Sequence, residues 1–315
     1  MQWHRVSAPV RILSAFTVLL SLAAPLRAQT VDDGIMLAKH DLFTGNLYVH
    51  DSWTKYWEGA LERENGNIGT LTTQTNIWYA NYGVTDRLNV IGMVPLVWTR
   101  ASQGVLRGQK GLQDLTIAAK YNVLEKQRTP IGALRVIGVL SAGLPMTDYT
   151  ADFYPLSLGS NSRKISGRGT VFLNTARGLY VNGSTSYSWR GNVTLDRPYF
   201  YTDDELVFSN EVPMPDVFDY TSSVGYMNNG LMTGLTFAQQ WTRGGGDIRR
   251  QDMPFVSNRM NFSKIGGMIM APIPKLRDLK VHVAYAYTLN GRNVGRATTV
   301  TTGILYHFNG RGSTP

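Results

Sequence analysis

Apolar and polar positions alternate in segments of about ten residues along most of this chain. The clearest segment is Leu279–Asn290, where every second residue from Leu279 to Leu289 is Leu, Val or Tyr. The positions between them hold Lys280, His282, Ala284, Ala286, Thr288 and Asn290. Because successive side chains of a β-strand point to opposite faces, this period of two predicts a strand with one apolar and one mostly polar face.

Twelve segments can be assigned as strands in this way. They lie near residues 46–57, 70–82, 88–100, 112–124, 131–145, 164–176, 179–191, 217–227, 230–243, 256–270, 279–290 and 296–308. Apolar residues occupy both faces of the segments at 88–100 and 131–145. If the strands enclose a lumen, this indicates that the lumen is partly apolar, unless the register is slipped by one residue.

The connections between these strands alternate in length. Short ones lie near 83–87, 125–130, 176–178, 227–230 and 271–278. Most of the others are long, near 58–69, 101–111, 146–163, 192–216 and 244–255, and only the connection near 291–295 is short. Short turns at one end, long loops at the other and an even strand number are typical of bacterial outer-membrane barrels. We predict one all-β domain over residues 29–315, a transmembrane antiparallel up-and-down β-barrel of about 12 strands with both termini periplasmic.

The first 28 residues have the features of a secretory signal peptide. Arg5 and Arg11 give a basic start, and an apolar run over Ile12–Ala24 follows. This run is too short to span a bilayer as a helix, although an uncleaved anchor is the alternative. Ala28 offers a small residue for cleavage. We therefore predict export through residues 1–28 and a location in the outer membrane of a Gram-negative cell.

The composition agrees with an exported β protein. Cysteine is absent, which excludes disulfides, thiol nucleophiles and cysteine zinc sites. The 16 Tyr, 11 Phe and 7 Trp suit strands and the aromatic girdles of a membrane interface. The formal net charge is +9, but the basic residues are scattered without a Lys/Arg run, so we do not expect nucleic-acid binding.

A few polar motifs are candidates for chemistry. His50 and Ser52 are two residues apart, so they share one face of a strand and could form a hydrogen-bonded base and nucleophile, as in an outer-membrane lipase. No third orienting group can be identified, and small polar residues are also normal at a strand end. Asp32-Asp33 and Asp203-Asp204-Glu205 lack the spacing of a calcium loop, and we interpret them as solvated loop charge. We expect no catalytic residue, no metal site and no cofactor.

Charged and polar residues on the inner phase of the strands are candidates for lining a permeation path. They are Lys120, Arg190, Lys280 and His282. A narrow barrel is often filled by its own side chains, so the alternative is that these residues only pair with inward acids such as Asp114 or Asp219.

Several motifs resemble those of one family of outer-membrane proteins. Tyr82–Val90 and the following Met93–Val97 resemble the recurring strand–turn–strand motif of that family. Gly111–Leu115 resembles its next signature, with Gln as the third residue where Gly is usual. Tyr56–Gly59 and Leu144-Pro145 are similar as well. The family is named for the meta-cleavage pathway of phenol degradation, and the resemblance implies outer-membrane transport of hydrophobic or aromatic compounds. It implies no particular binding residues.

A second resemblance lies near the C-terminus. Thr301, Gly303, Tyr306 and Phe308 are similar to the signal on the last strand that the barrel-assembly machinery reads. That signal usually ends the chain, whereas residues 309–315 follow it here.

We expect a channel or transporter for passive uptake or efflux of small hydrophobic or aromatic compounds. The alternatives are a lipase-type enzyme that uses His50 and Ser52, and a structural or adhesive barrel with no open pore. The expected partners are outer-membrane lipid, lipopolysaccharide, the barrel-assembly machinery and a small hydrophobic ligand.

Overall fold

Twelve long strands dominate the structure, a computed structural model that describes residues 30–249 and 254–310. We number them β1 to β12. Their bounds are β1 Leu42–Trp53, β2 Leu71–Thr85, β3 Leu88–Ala101, β4 Asp114–Thr129, β5 Gly132–Pro145, β6 Lys164–Asn174, β7 Leu179–Arg190, β8 Asp216–Asn228, β9 Leu231–Arg243, β10 Asn261–Ile273, β11 Leu276–Arg292 and β12 Thr298–Phe308. The predicted signal peptide at residues 1–28 lies outside the described residues. Within the described ranges, no helix has the length and apolar character needed to cross a membrane.

The twelve strands form a closed ring. Each pairs antiparallel with the next one along the chain, and β1 pairs with both β2 and β12. In the closing ladder Leu42 lies opposite Phe308, and Ser52 lies opposite Thr298. Lipid offers no hydrogen-bond partner to an unpaired strand edge, and closure satisfies both free edges at once. The predicted up-and-down barrel of twelve strands is therefore confirmed.

The first strand differs most clearly from its predicted bounds. It begins at Leu42, four residues earlier than predicted, and the aromatic residues that we assigned to its end leave the barrel wall. They belong to a small hairpin of Lys55–Glu58 with Leu61–Glu64. Trp57 is only 5% exposed there and packs over Gly291. Its apolar surface is thus buried within a loop, which a pattern of alternation cannot distinguish from a strand.

The two ends of the barrel differ as predicted. The connections at one end consist only of residues 86–87, 130–131, 175–178, 229–230 and 274–275. Those at the other end comprise residues 54–70, 102–113, 146–163, 191–215, 244–260 and the short 293–297. The long loops contain further short strands, namely Lys110–Leu112 beside β3, Val193–Thr194 with Glu211–Val212, and Phe200–Thr202 with Glu205–Val207. By the usual asymmetry of bacterial barrels, the short turns mark the periplasmic end.

Burial alternates along the strands with the predicted phase. In β11, Lys280 is fully buried whereas Val281 and Val283 are 40% and 47% exposed. In β4, Lys120 is fully buried and Tyr121 is exposed. The apolar phase therefore faces outward and the polar phase faces the interior. An outward belt of aliphatic and aromatic side chains is what a lipid-facing barrel surface requires.

Candidate transport pathway

Residues 30–41, which precede β1, run inside the barrel, and we call them the lumen segment. Its residues Ile35, Met36 and Leu37 are at most 2% exposed. They belong to an apolar cluster with inward side chains from strands all around the barrel, including Phe172 of β6. Gly34 approaches Phe172 so closely that an added Cβ would lie 1.9 Å from the Cβ of Phe172. The lumen segment thus fills this part of the interior by close apolar packing.

An ion pair and backbone contacts hold the lumen segment against the barrel wall. Lys120 Nζ of β4 donates to Asp33 Oδ1 at 2.7 Å and to the Thr30 carbonyl at 2.8 Å. Asn182 Nδ2 of β7 donates to the Asp32 carbonyl at 2.9 Å. Our interpretation of Asp32-Asp33 as solvated loop charge is wrong, because Asp33 is the counter-ion of a buried lysine. A lysine on the inner face of a strand needs a counter-ion, and from this requirement the sequence could have predicted an acidic residue inside the barrel.

The last residues of the lumen segment contact the strand at which the barrel closes. His307 Nε2 of β12 lies 3.2 Å from Asp41 Oδ2. The Gly310 amide donates to Asp41 Oδ1 at 3.1 Å, and the His40 amide donates to the Gly83 carbonyl at 2.7 Å. The last residues of the lumen segment and the end of β12 therefore meet beside the short turns.

The inner wall formed by β6, β7 and β8 is polar. Arg168 Nη2 donates to Asp219 Oδ1 at 2.7 Å, and its Nη1 donates to Ser184 Oγ at 2.9 Å. The hydroxyl of Ser186 also donates to Asp219. Asp219 is thus the partner of Arg168.

The three candidates other than Lys120 occupy separate places. Lys280 is fully buried, with Nζ 5.0 Å from the centre of the Phe43 ring. His282 lies one inward position further along β11 and lines a cavity. Arg190 lies at the long-loop end of β7, where its Nε donates to the Pro215 carbonyl at 2.6 Å. The structure does not bring the four candidates together as one continuous row.

A cavity of about 260 Å³ lies inside the barrel beside the lumen segment. Its lining includes Met93, Met232, Met268, Met270, Tyr79 and Tyr180. Met232 lies opposite Met270 in the β9–β10 ladder, and Met270 lies opposite His282 in the β10–β11 ladder. The sequence analysis missed this cavity. Met268 and Met270 lie two positions apart and so share one face of β10, and this pair could have indicated a flexible apolar lining.

The long loops pack on one another at the opposite end of the barrel. Ala151, Phe200 and Phe255, from three different loops, share one buried apolar cluster, and the two Phe rings stack with centroids 5.5 Å apart. The loop between β5 and β6 also reaches the inner wall, where Thr99 Oγ1 donates to the Leu156 carbonyl at 2.7 Å. The loops therefore cover part of the opening at this end.

Comparison with known proteins identifies the family. Residues 67–250, more than half of the chain, match the model of the family described as "Putative MetA-pathway of phenol degradation". The chain belongs to this family. The resemblance that we drew from the strand motifs is confirmed. No curated protein matches the sequence.

Several solved structures are similar to this chain. An outer membrane channel from Pseudomonas putida F1 is 14% identical, with 89% of this chain and 100% of that chain covered and a TM-score of 0.67. The NanC porin is 8% identical, with 82% and 98% covered and a TM-score of 0.46. A mutant of the TodX monoaromatic hydrocarbon channel is 11% identical, with 87% and 91% covered and a TM-score of 0.41. The first similarity identifies the fold as that of an outer-membrane channel barrel.

In this member of the family, the candidate nucleophile pair lies on the outer phase of β1. His50 and Ser52 lie on the same face of β1 as Tyr48, which is 37% exposed. Asp51, between them, lies on the opposite face, where it accepts a hydrogen bond from Thr299 Oγ1 at 2.6 Å. Among the described residues, no hydrogen bond joins His50 to Ser52. The pair shares a face, as its spacing predicts, but it lacks the contact by which a base activates a nucleophile.

The residues of the predicted assembly signal divide between the two faces of β12. Tyr306 and Phe308 are exposed on the outer face, with ring centroids 4.3 Å apart. Thr301 and Gly303 lie on the inner phase, where Gly303 packs against Leu47 of β1. Recognition of these residues by the assembly machinery stays a prediction.

Proposed function

We propose that this protein is an outer-membrane channel for the passive uptake or efflux of small hydrophobic or aromatic compounds. The observation that carries the proposal is the methionine-lined cavity inside the barrel. Pockets that bind drug-sized ligands have volumes of roughly 300–1,000 Å³. This cavity, at about 260 Å³, suits a smaller molecule. Thioether and aromatic side chains offer such a molecule apolar contact and favourable sulfur–ring contacts. Membership of a family named for phenol degradation supports the same class of compound.

The partly filled interior of the barrel supports this proposal over a general porin. A porin passes hydrophilic solutes through a wide aqueous lumen, which larger barrels enclose. In this barrel the lumen segment fills one part of the interior, and the long loops pack over the other end. A small apolar molecule that exchanges water contacts for protein contacts needs no continuous column of water.

The proposal includes the location and the processing of the chain. We propose that residues 1–28 are removed as a signal peptide and that residues 29–315 form one outer-membrane barrel domain. The outward apolar belt supports contact with lipid, and we propose that the long loops contact lipopolysaccharide. Lys120, Lys280, His282 and Arg190 are proposed as lumen-lining residues, of which Lys120 holds the lumen segment in place.

Two other functions remain distinguishable by experiment. A lipase that uses His50 and Ser52 would hydrolyse phospholipid and lose that activity in Ser52→Ala. A structural barrel would leave the entry of every small molecule unchanged. The structure supports neither as well, because His50 and Ser52 make no mutual hydrogen bond and because an internal cavity has no role in adhesion.

The test is uptake by intact cells, whose lipopolysaccharide leaflet slows apolar molecules. A strain that lacks the protein and a complemented strain are compared for entry of radiolabelled toluene, phenol, a medium-chain fatty acid and a disaccharide. We expect the protein to accelerate entry of the ring compounds and not of the disaccharide. Equal rates for all compounds in both strains would contradict the proposal.

A matched pair of variants tests whether the cavity is the route. Thr236 lines the cavity, whereas its neighbour Leu235 is 65% exposed on the outer face of β9. Thr236→Phe places a ring in the cavity and should slow entry of the ring compounds, while Leu235→Phe should leave it unchanged. Equal uptake by the two variants would mean that the compounds do not pass through this cavity.

A further inference from the structure

A groove of about 610 Å³ crosses the outer face of β5, β6 and β7 near the short turns. Val171 and Val181 in its lining are 52% and 51% exposed, so the groove opens toward lipid and not toward the lumen. All but one of the residues that line it are apolar or glycine. They are Thr129, Pro130, Ile131, Leu134, Val171, Leu173, Val181 and Gly183.

Gly183 of β7 keeps one end of the groove open. It lies opposite Val171 in the β6–β7 ladder, and a Cβ added to it would have no atom within 4 Å. A larger side chain at this position would therefore occupy the groove without disturbing the strands.

Two basic residues of β4 lie at the short-turn rim of the groove. Lys126 lies opposite Leu134, a lining residue, in the β4–β5 ladder. Arg128 directly precedes Thr129, which also lines the groove. Both basic residues are exposed. They give the apolar groove a positively charged edge on its periplasmic side.

A third basic residue, Arg177, lies exposed in the turn between β6 and β7. This turn abuts the start of β5, since a Cβ added at Gly132 would lie 2.8 Å from the Thr175 Cα. Glu125, the acid nearest to these basic residues along β4, is paired with Arg135 at 3.0 Å. Its charge is therefore already compensated by a residue outside the rim.

We propose that this groove binds an anionic phospholipid of the periplasmic leaflet. One acyl chain lies in the groove, and Lys126, Arg128 and Arg177 attract the headgroup. Guanidinium groups suit phosphate, and each buried methylene of the chain adds to the binding. The site is on the outside of the barrel at the short-turn end, so the inference goes beyond the proposed function and does not depend on passage through the cavity.

The size and charge of the groove favour a lipid over a second copy of the barrel. A stable protein interface takes roughly 800 Å² and 20–30 residues from each partner. Eight residues line this groove, and two identical basic rims would repel each other. An amphiphile that is apolar along one part and anionic at one end complements both features, because basic residues near a membrane surface attract anionic lipid.

Native mass spectrometry of the purified barrel tests the inference. The probes are phosphatidylglycerol and phosphatidylcholine with identical acyl chains, titrated in the same detergent. We expect the first phosphatidylglycerol to bind about fivefold more tightly than phosphatidylcholine, the factor that one basic residue near an anionic lipid contributes. Equal affinity for the two lipids, or no binding of either, would overturn the inference.

Paired charge variants assign the preference to this rim. Arg128→Gln combined with Arg177→Gln should abolish the preference for phosphatidylglycerol. Lys275→Gln combined with Arg277→Gln removes the same charge beside the β10–β11 turn and should keep the preference. Equal loss in the two double variants would mean that the lipid responds to the total charge of the barrel end and does not bind in the groove.

A second pair of variants tests the place of the acyl chain. Gly183→Phe fills the groove and should weaken binding of both lipids about tenfold, as expected for lost contact with roughly two methylenes. Gly92→Phe is the control, because Gly92 lies on the outer phase of β3, away from the groove, and its added Cβ would also have no atom within 4 Å. Both variants are compared as the heat-modifiable, folded form. Equal lipid affinity of the two would overturn the inference, whatever the effect of the charge variants.

Discussion

Lys120 in the wall of the barrel forms an ion pair with Asp33, which lies 87 residues earlier in the chain and inside the lumen. The Nζ–Oδ1 distance is 2.7 Å, and the lysine side chain is fully buried. Loss of one partner from a buried ion pair costs about 3–5 kcal/mol, because the other charge is left uncompensated. In this barrel the loss would act on the docking of the lumen segment, since the strand ladders do not depend on Asp33.

Asp33→Asn should therefore release the lumen segment and open the barrel to ions. We expect a severalfold rise in single-channel conductance in planar bilayers, with unchanged heat-modifiable mobility of the barrel on gels. Asp32→Asn is the matched control, because the Asp32 carboxylate accepts from Thr30 within the segment itself. Equal conductance of Asp33→Asn and wild type would mean that the ion pair does not hold the segment.

Charge on the outer face of β11 should be far less tolerated than polarity on the inner face. Val283 is 47% exposed on the lipid side, and the adjacent Ala284 faces the interior. Val283→Arg should cost on the order of 2–4 kcal/mol near the bilayer midplane and reduce the amount of folded barrel in the outer membrane. Ala284→Ser should fold normally. Equal amounts of folded barrel from the two variants would show that this face does not contact lipid.

Removal of the terminal aromatic ring of β12 should impair assembly more than stability. Phe308 is 50% exposed and contacts Tyr306, so Phe308→Ala leaves the interior unchanged. We expect less barrel inserted in the outer membrane, but an unchanged urea midpoint for the fraction that is inserted. Ile304→Ala, an equally outward position on the same strand, controls for general loss of apolar surface. The same insertion yield from both variants would argue against a specific assembly signal.

The loop between β9 and β10 should remain anchored at mildly acidic pH. The pKa of Asp247 lies below its ordinary value of 3.8, chiefly because Arg292 hydrogen-bonds to it and also through Asn293, against the opposing effect of burial. The Arg292 Nε–Asp247 Oδ1 distance is 2.8 Å. A carboxyl whose pKa is lower in the folded state contributes stability above the unfolded pKa, and this is lost as the pH falls through the folded value.

Hydrogen exchange of the amides at residues 244–249, corrected for the intrinsic rate, measures this anchorage. Protection should be constant from pH 7 to about pH 4 and fall only at lower pH. Asp247→Asn should show weaker protection throughout the range and little dependence on pH. Loss of protection in wild type between pH 7 and pH 5 would contradict the role given to Asp247.

The barrel was predictable from the sequence because its signals are local. Alternation along Leu279–Asn290 depends only on which side of one strand meets lipid. The lengths of all connections except 293–297 follow from their end of the barrel. The burial of Lys280 and the exposure of Val283 follow from the same alternation. A lipid-facing wall imposes this pattern on each strand separately, so no knowledge of distant contacts was needed.

The interior was only partly predictable, because it depends on contacts between distant residues. The polar phase placed Lys120 inside, but its partner Asp33 lies in a segment without alternation, where an acid normally indicates solvent. Asp219 was one of the acids considered as alternative partners of the candidate lumen residues, yet it pairs with Arg168, two strands away on the same wall. The cavity depends on how many strands align around the lumen segment, and register across strands cannot be derived from one strand alone.

The path of the lumen segment constrains the order in which this barrel folds. The segment is continuous with β1, and its contacts include Lys120, Phe172 and Asn182 on strands β4, β6 and β7. A ring that had already closed could take in the segment only by threading it through an end lined with packed side chains. An open sheet can instead curl around the segment before β1 meets β12. We therefore expect the barrel to form around the lumen segment, with the closing ladder from Leu42 to Ser52 made last.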